Sequence, residues 1–482
     1  MSRLHRLALL SVALLCAVTI GAGASVARML PGRLALLRVP GVAAAALAAP
    51  EPVLRAATGV PRGPGGGVRG ATAAGVSSAV SGMLGSPFLG RQVGAVVTDL
   101  DTGAVLYARN ASAAFTPAST AKLATSVAAL DVLGPAARFA TRVVAGQERD
   151  SIVLVGGGDP TLAAGQPPAA DYPQPATLAE LAARTAARLR ARGRRSVRLG
   201  YDTSLYTGQD MAPGWTPAYV TTGNVTPITA LEVDQGRLTA GGAPQDADDP
   251  ANFRPRSASP AQQAAAAFAA FLQRDGIAVL GPPAPRTAPS GSAAIARVYS
   301  PPLAEIVQWM LTESNNVIAE NLARQVAIAT GRPASFSGAA AAVMAADRRL
   351  GVTGITLVDG SGLSPQDQIT PDALVQLIRL AAAAGQARLR PVITGLPVAG
   401  FSGTLGPAEA GFGSAGRAAL GVVRAKTGNL STVVTLAGVA YARNGQLLAF
   451  AVMTDRLPRS GVVPAAADVV AVATALAGCG CR

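Results

Sequence analysis

An α+β fold, with one antiparallel sheet covered by helices and a mainly β domain inserted into it, is what this sequence predicts. Two strand-like runs stand near the start of the chain, three stand near its end, and long apolar helical patterns lie between them. Between Phe139 and Arg297 the texture changes to short strand-like pieces and a polar stretch from Gln245 to Pro260, which marks the insert. The resulting division is 79–140 with 296–482 for the helix-covered sheet and 141–295 for the insert. A leader (1–24) and a Pro/Gly/Ala/Arg-rich linker read as disordered (25–78) come first.

Each element has a local reason. Gln92–Leu100 and Ala104–Ala108 are strand-like runs joined by Asp101-Thr102-Gly103, a hairpin signal. Phe115-Thr116-Pro117-Ala118-Ser119 reads as a turn feeding a buried helix from Thr120 to Leu133. Within the insert, Ser151–Val155 and Ser196–Leu199 read as strands, and Ala176–Arg192 as a helix ending in a basic cluster. Ser300-Pro301-Pro302 signals a helix start, with serine as cap and proline in the first turn, and the pattern runs on past Asn316. Ser337–Leu350 and Pro371–Ala384 follow as helices, with Gly360–Pro365 as a loop between them. Gly421–Ala425, Thr432–Tyr441 and Leu447–Thr454 read as strands with turns at Gly428-Asn429 and Asn444-Gly445, and a helix over Ala465–Ala477 closes the chain.

Half of the 482 residues are hydrophobic but only 4% are aromatic, so alanine and valine must carry much of the packing. Arg3 and Arg6 precede an uncharged run from Leu7 to Ala27 that contains Ala22-Gly23-Ala24. This is either a signal peptide cut after Ala24 or an uncleaved anchor, and both place the protein outside the cytoplasmic membrane. Half of the formal charge of +14 falls in the first 90 residues, which hold eight arginines and one acid. Such a segment suits anionic lipid headgroups or wall polymers, or is simply a solvated linker; its position argues against nucleic acid as a partner. Cys479 and Cys481, in the last four residues, are either a strained disulfide or an exposed thiol pair in a frayed tail.

Of 41 basic residues only two are lysine, Lys122 and Lys426. An ammonium can lose its proton when desolvated whereas guanidinium effectively cannot, so lysines kept against this bias point to chemistry. The only histidine, His5, lies in the leader, which excludes Ser-His-Asp triads, Cys-His dyads and histidine-ligated zinc, and the inventory calls for no metal or cofactor. Lysine is therefore the leading base. In Ser119-Thr120-Ala121-Lys122 the spacing of three places amine and hydroxyl on one helical face. Ser314-Asn315-Asn316 offers a proton-relaying hydroxyl and an amide, and Lys426-Thr427-Gly428 offers a carboxylate-binding pair beside a glycine that admits a substrate backbone. Two cations near Ser119 would each lower the other's pKa.

These three motifs, in this order, are the signature of serine β-lactamases and penicillin-binding proteins. Longer strings sharpen the match: Val155–Leu162 (VGGGDPTL), Glu313–Arg324 (ESNNVIAENLAR), Asp359–Ser364 (DGSGLS), Leu396–Gly400 (LPVAG) and Arg424–Leu430. From about Val93 to Thr454 the chain resembles the D-alanyl-D-alanine carboxypeptidase/endopeptidases, the class C low-molecular-mass penicillin-binding proteins (peptidase family S13). The resemblance implies a serine β-lactamase/transpeptidase-like fold and an acyl-enzyme on Ser119 with Lys122 as base and Ser314 as proton shuttle. It implies that Asn316 holds the peptide, that Lys426 and Thr427 engage the terminal carboxylate beside Gly428, and that the N–H groups of Ser119 and Asn429 form the oxyanion hole. Ser361 and Gly362 would border the side-chain pocket. Peptidoglycan stem peptides are the implied substrate and β-lactams the implied covalent inhibitors.

Three features depart from the family pattern. Pro365 stands where an arginine often follows Gly-Leu-Ser, the insert is shorter than usual, and Asn315 fills a place often taken by aspartate. A serine β-lactamase shares the motifs but needs fast deacylation through an added carboxylate, for which no short Glu-bearing loop is visible. A silent wall-binding scaffold would have had no reason to keep Ser119 and Lys122.

Overall fold

The computed structural model describes residues 70–166, 169, 172–238, 254–406 and 414–481. The leader, most of the linker and much of the Gln245–Pro260 stretch lie outside the described residues. The first helix among the described residues is α1 (Ala73–Leu84), which covers the Ala79 position. Thr72 caps this helix by accepting the Gly75 N–H at 3.0 Å, and Val76, Val80 and Leu84 form its buried stripe. Strands β1 (Val93–Asp99) and β2 (Val105–Arg109) follow, then a 3-10 turn (Ala118–Ala121) that runs into α2 (Lys122–Leu133). The insert supplies β3 (Ala140–Ala145), β4 (Ser151–Val155), α3 (Leu178–Arg190), β5 (Ser196–Asp202), α4 (Ala218–Thr221), α5 (Pro260–Arg274), β6 (Ala278–Val279), β7 (Ala284–Pro285) and β8 (Ala294–Tyr299). The chain returns through α6 (Leu303–Thr312), α7 (Asn316–Ala329), α8 (Phe336–Arg349), β9 (Ile355–Thr356), β10 (Gln368–Ile369), α9 (Pro371–Ala382) and α10 (Arg390–Thr394). It ends with β11 (Val423–Leu430), β12 (Val433–Tyr441), β13 (Leu447–Thr454) and α11 (Val462–Gly478).

The main sheet is antiparallel with order β11-β12-β13-β1-β2, so the first strands of the chain dock beside the last. Every residue of β1 is buried, because both faces of the sheet are covered. Val93, Ala95 and Val97 share a core with α1 and α11, while Gly94 on the other face leaves room for Phe115 and Pro371. The C-terminal tail is not frayed. Cys479 and Cys481 form a disulfide, and the Cys481 carbonyl accepts the Thr72 N–H at 2.8 Å, tying the tail to the first helix.

The insert forms its own sheet, order β6-β5-β4-β3-β8 with β7 beside β5, and α3 and α5 pack on it. It is therefore mixed rather than mainly β, with parallel pairing of β4 with β5 and of β5 with β6. Three local expectations are corrected. Ser300 is not a helix cap: its Oγ accepts the Phe139 N–H at 2.9 Å, and α6 starts after Pro302 without a side-chain cap. The pattern past Leu311 is two helices, because Ser314 adopts φ +56° and Asn315 caps a new one by accepting the Ile318 N–H at 3.1 Å. Gly428-Asn429 is not a turn but part of β11, which pairs with β12 as far as Leu430.

A seam joins insert to helices. Trp215 meets Phe336 edge to face at 5.3 Å, packed with Ile228, Val317 and Leu363. Beside them the buried Arg324 guanidinium lies 4.3 Å over Phe336 and 5.1 Å from the Tyr206 ring, donating to the carbonyls of Thr207, Gln209 and Ala334. Truncating it removes three hydrogen bonds and both ring contacts and leaves a void between the two parts. Arg324→Ala should lower unfolding free energy by about 3–5 kcal/mol in denaturant titrations, and a loss under about 1 kcal/mol would show the clamp to be dispensable.

Candidate active site

The 3-10 turn before α2 presents Ser119. Ala118, buried and held at φ +47°, bends the backbone there, and Gly362 at φ +80° packs against the Ala118 carbonyl where a Cβ would overlap it. The hydroxyls of Thr120 and Thr435 both donate to the Pro117 carbonyl at 2.7 Å, fastening the turn to β12. One helical step on, Lys122 has no exposed surface. Its Nζ stands 2.9 Å from Ser119 Oγ, 2.7 Å from Asn316 Oδ1 and 2.8 Å from the Ser361 carbonyl. Burial pushes its pKa down to about 7, against the opposing pull of Asp359, Glu320 and Asp367.

Those acids form the floor beneath the Gly360–Ser364 loop. Asp359 accepts the N–H groups of Ser361 (3.0 Å), Gly362 (2.7 Å) and Ser364 (2.6 Å) and the Trp215 Nε1–H (2.8 Å). Glu320 grips the Gly360 N–H with both oxygens, at 2.9 and 3.1 Å. Burial and the neighbouring Asp359 push Glu320 up to about 8, and the same two causes hold Asp367 well above the carboxylate range. This floor aims the Ser361 carbonyl at the amine.

Asn316, first residue of α7, turns its oxygen to Lys122 and its Nδ2–H to the Asn224 carbonyl of the insert at 2.9 Å. Asn315 points the other way, donating to Gln235 Oε1 at 2.5 Å. Lys426 is also buried, its Nζ donating to the Thr427 carbonyl at 2.8 Å. Burial first, then the charge of Lys122, holds its pKa well below the usual range, with Glu313 opposing. Thr427 Oγ1 is 2.8 Å from Thr404 Oγ1.

Ser119, Ser314, Asn316, Gly362, Thr427 and Asn429 all line one cavity of about 380 Å³. Lys122, Ser361, Lys426 and Gly428 lie behind its wall. Ser361 was expected to border the side-chain pocket; its side chain is instead buried, and it contributes its carbonyl to Lys122. Strand β11 is the sheet edge, and the Ala425 N–H points outward to the Pro397 carbonyl at 3.0 Å. With a period of two, the Thr427 and Asn429 N–H groups point the same way, toward the cavity. Tyr219, Asn224, Glu313 and Thr404 also line it and were not singled out in the sequence. Nothing local marks Tyr219 or Asn224, which reach the site only because the insert folds back over it.

A serine next to a buried amine whose pKa is pushed down toward neutrality, at the edge of a helix-covered antiparallel sheet, defines a serine-type peptidase of the penicillin-binding kind. A profile of the D-Ala-D-Ala carboxypeptidase 3 (S13) family matches residues 76–254 and 237–475. Carboxypeptidase DacB of Mycolicibacterium smegmatis is 38% identical over 92% of this chain and 88% of its own length. A D-alanyl-D-alanine carboxypeptidase of Actinomadura is 30% identical over 82% of this chain and 83% of its own. In fold, penicillin binding protein 4 (dacB) from Haemophilus influenzae superposes with a TM-score of 0.65 at 22% identity, over 82% of this chain and 98% of that one. The chain belongs to the S13 D-Ala-D-Ala carboxypeptidase family.

Two outcomes follow from the geometry. An amine that accepts a proton only when uncharged makes acylation fall about tenfold per pH unit below about 7 and level off above it; stopped-flow acylation across pH 5–9 (roughly the range where a histidine-like group titrates) would read this, and a flat profile would contradict it. At Gly428 a Cβ would overlap Thr435 Oγ1 and stand 2.7 Å from the Pro117 carbonyl and 3.1 Å from Ser119 N. Gly428→Ala should therefore displace the Ser119 turn and slow acylation by about 10²-fold while the thermal transition persists.

Proposed function

We propose that this chain is a serine D-Ala-D-Ala carboxypeptidase and endopeptidase that works on peptidoglycan stem peptides in the cell envelope through an acyl-enzyme on Ser119. The observation that carries the reading is the 2.9 Å contact of Ser119 Oγ with a buried lysine whose proton affinity lies near neutrality. Ser119 Oγ attacks the penultimate D-alanine carbonyl and its proton passes to Lys122. The oxyanion is held by the N–H groups of Ser119 and Asn429, an assignment supported by their place at the cavity edge. Ser314, in the same cavity, carries a proton to the departing amine, and water then releases the shortened peptide. Departure of free D-alanine is carboxypeptidase action; departure of a cross-linked amine is endopeptidase action.

Asn316 keeps the base in place and presents its amide edge to the peptide. Thr427 Oγ1 is the donor that meets the terminal carboxylate, with Lys426 behind it supplying charge through the wall, and Gly428 keeps that strand close to the nucleophile. Gly362 borders the side-chain pocket, where Pro365 packs 3.2 Å from the position of a Cβ on Gly214 of the insert. β-Lactams enter as covalent inhibitors, in keeping with the family. The N-terminal leader exports the chain, and its basic linker contacts the anionic envelope surface.

A fluorescent penicillin should label the protein covalently and persistently, and Ser119→Ala should abolish the label; undiminished labelling of the variant would remove the basis of the assignment. Lys122→Arg should be nearly as damaging as Lys122→Ala, because arginine keeps the charge but cannot serve as base. Mass spectrometry of products from a pentapeptide and a cross-linked dimer should show loss of D-alanine from the first and cleavage of the second.

A further inference from the structure

Where the insert meets α7 lies a second cavity of about 610 Å³ that shares no lining residue with the active-site cavity. Its floor is the β3–β8 pair, where Arg142 and Arg297 stand directly opposite each other in the antiparallel register. Like charges directly opposite in a ladder repel, and a bound anion would relieve that repulsion; Arg297 Nη1 also reaches the Tyr299 hydroxyl at 3.3 Å. Arg138 adds a third guanidinium, although it also donates to the Ser300 carbonyl at 2.9 Å and stands near Glu305. Among the described residues no ion pair within 4.0 Å involves Arg138, Arg142 or Arg297.

The roof is the loop before β8, which carries the hydroxyls of Thr287, Ser290 and Ser292. Asp202 is a lining carboxylate, but its two oxygens already accept the N–H groups of Ser204 (2.8 Å) and Ala288 (2.7 Å), so it anchors the roof. Against that one carboxylate the cavity sets three guanidiniums, an excess of positive charge and of donors. Gln325 closes the inner end, nine residues beyond Asn316 on α7, about 13 Å along the helix from the active site. A third cavity of about 480 Å³ adjoins it, lined by Arg188 and by Arg184, which is also paired with Glu180 at 2.5 Å, and sharing Ala294 and Arg297. Two basic cavities joined through one arginine suit a chain of repeated anions better than a single small ion.

We propose that these joined cavities bind a linear phosphodiester polymer of the envelope, docking the insert on the wall while the catalytic cavity remains free. A tetrahedral phosphate accepts from the guanidiniums below and the hydroxyls above at once, whereas a planar carboxylate accepts largely in one plane. Exposed arginines make the attraction salt-sensitive.

The test is fluorescence anisotropy of a labelled poly(glycerol phosphate) oligomer with the full chain, at low and at physiological ionic strength. Saturable, salt-sensitive binding is expected, weakened about tenfold or more in Arg142→Gln/Arg297→Gln, with penicillin labelling of Ser119 unchanged as the sign of an intact fold. If the double variant loses labelling, each single variant is read instead, with about threefold weakening expected. Absence of saturable binding, equal binding by the substituted proteins, or equal binding of poly-L-glutamate of matched length would each overturn the proposal.

Discussion

The site depends on one constraint: a primary amine is buried and must find its partners inside the protein. Lys122 draws its three from separate parts of the chain, a hydroxyl on its own turn, an amide at the start of α7 and a carbonyl in the Gly360–Ser364 loop. Desolvating an ammonium costs several kcal/mol, so these contacts must be well aligned for the folded state to accept it in either protonation state. That requirement fixes the spacing of the three segments around the amine. It also explains the left-handed residues Ala118 and Ser314, which let the chain turn sharply enough to bring the hydroxyls to the cavity.

Charge is balanced in layers around this amine. Lys426 adds a second buried amine from the sheet edge, opposed by Glu313, while Asp359, Glu320 and Asp367 pull on Lys122 from below the loop. The acids themselves accept backbone N–H donors, which makes them part of the scaffold as well as part of the field. Trp215 couples this floor to the insert, since its ring packs in the seam while its N–H reaches Asp359. The insert is therefore not a passive appendage: it completes the wall with Tyr219 and Asn224 and braces the loop that holds the base.

Legibility in the sequence followed the range of the interactions. The strands around Val97 and Leu436, the helix after Ser119 and the closing helix were readable because hydrophobic periodicity is a local signal. The end of α6 was not, because Ser314-Asn315 interrupts an apolar pattern without glycine or proline, and the left-handed serine is held by what surrounds it. Gly428-Asn429 carries turn chemistry yet lies in a strand, where the glycine is needed for the close approach of Thr435 and the Ser119 turn. Local propensity gave way there to packing.

From the sequence alone came the class of fold, the pairing of Ser119 with Lys122 on which the proposed acylation rests, and the exclusion of histidine chemistry, because these depend on which residue types exist and how closely they are spaced. Only the tertiary structure decided that Lys426 and Ser361 lie behind the cavity wall, that Asn316 bridges Lys122 to the insert, and that Arg142 faces Arg297. The reason is physical: burial, pKa and convergence arise between segments hundreds of residues apart, and no local pattern encodes the distance between them.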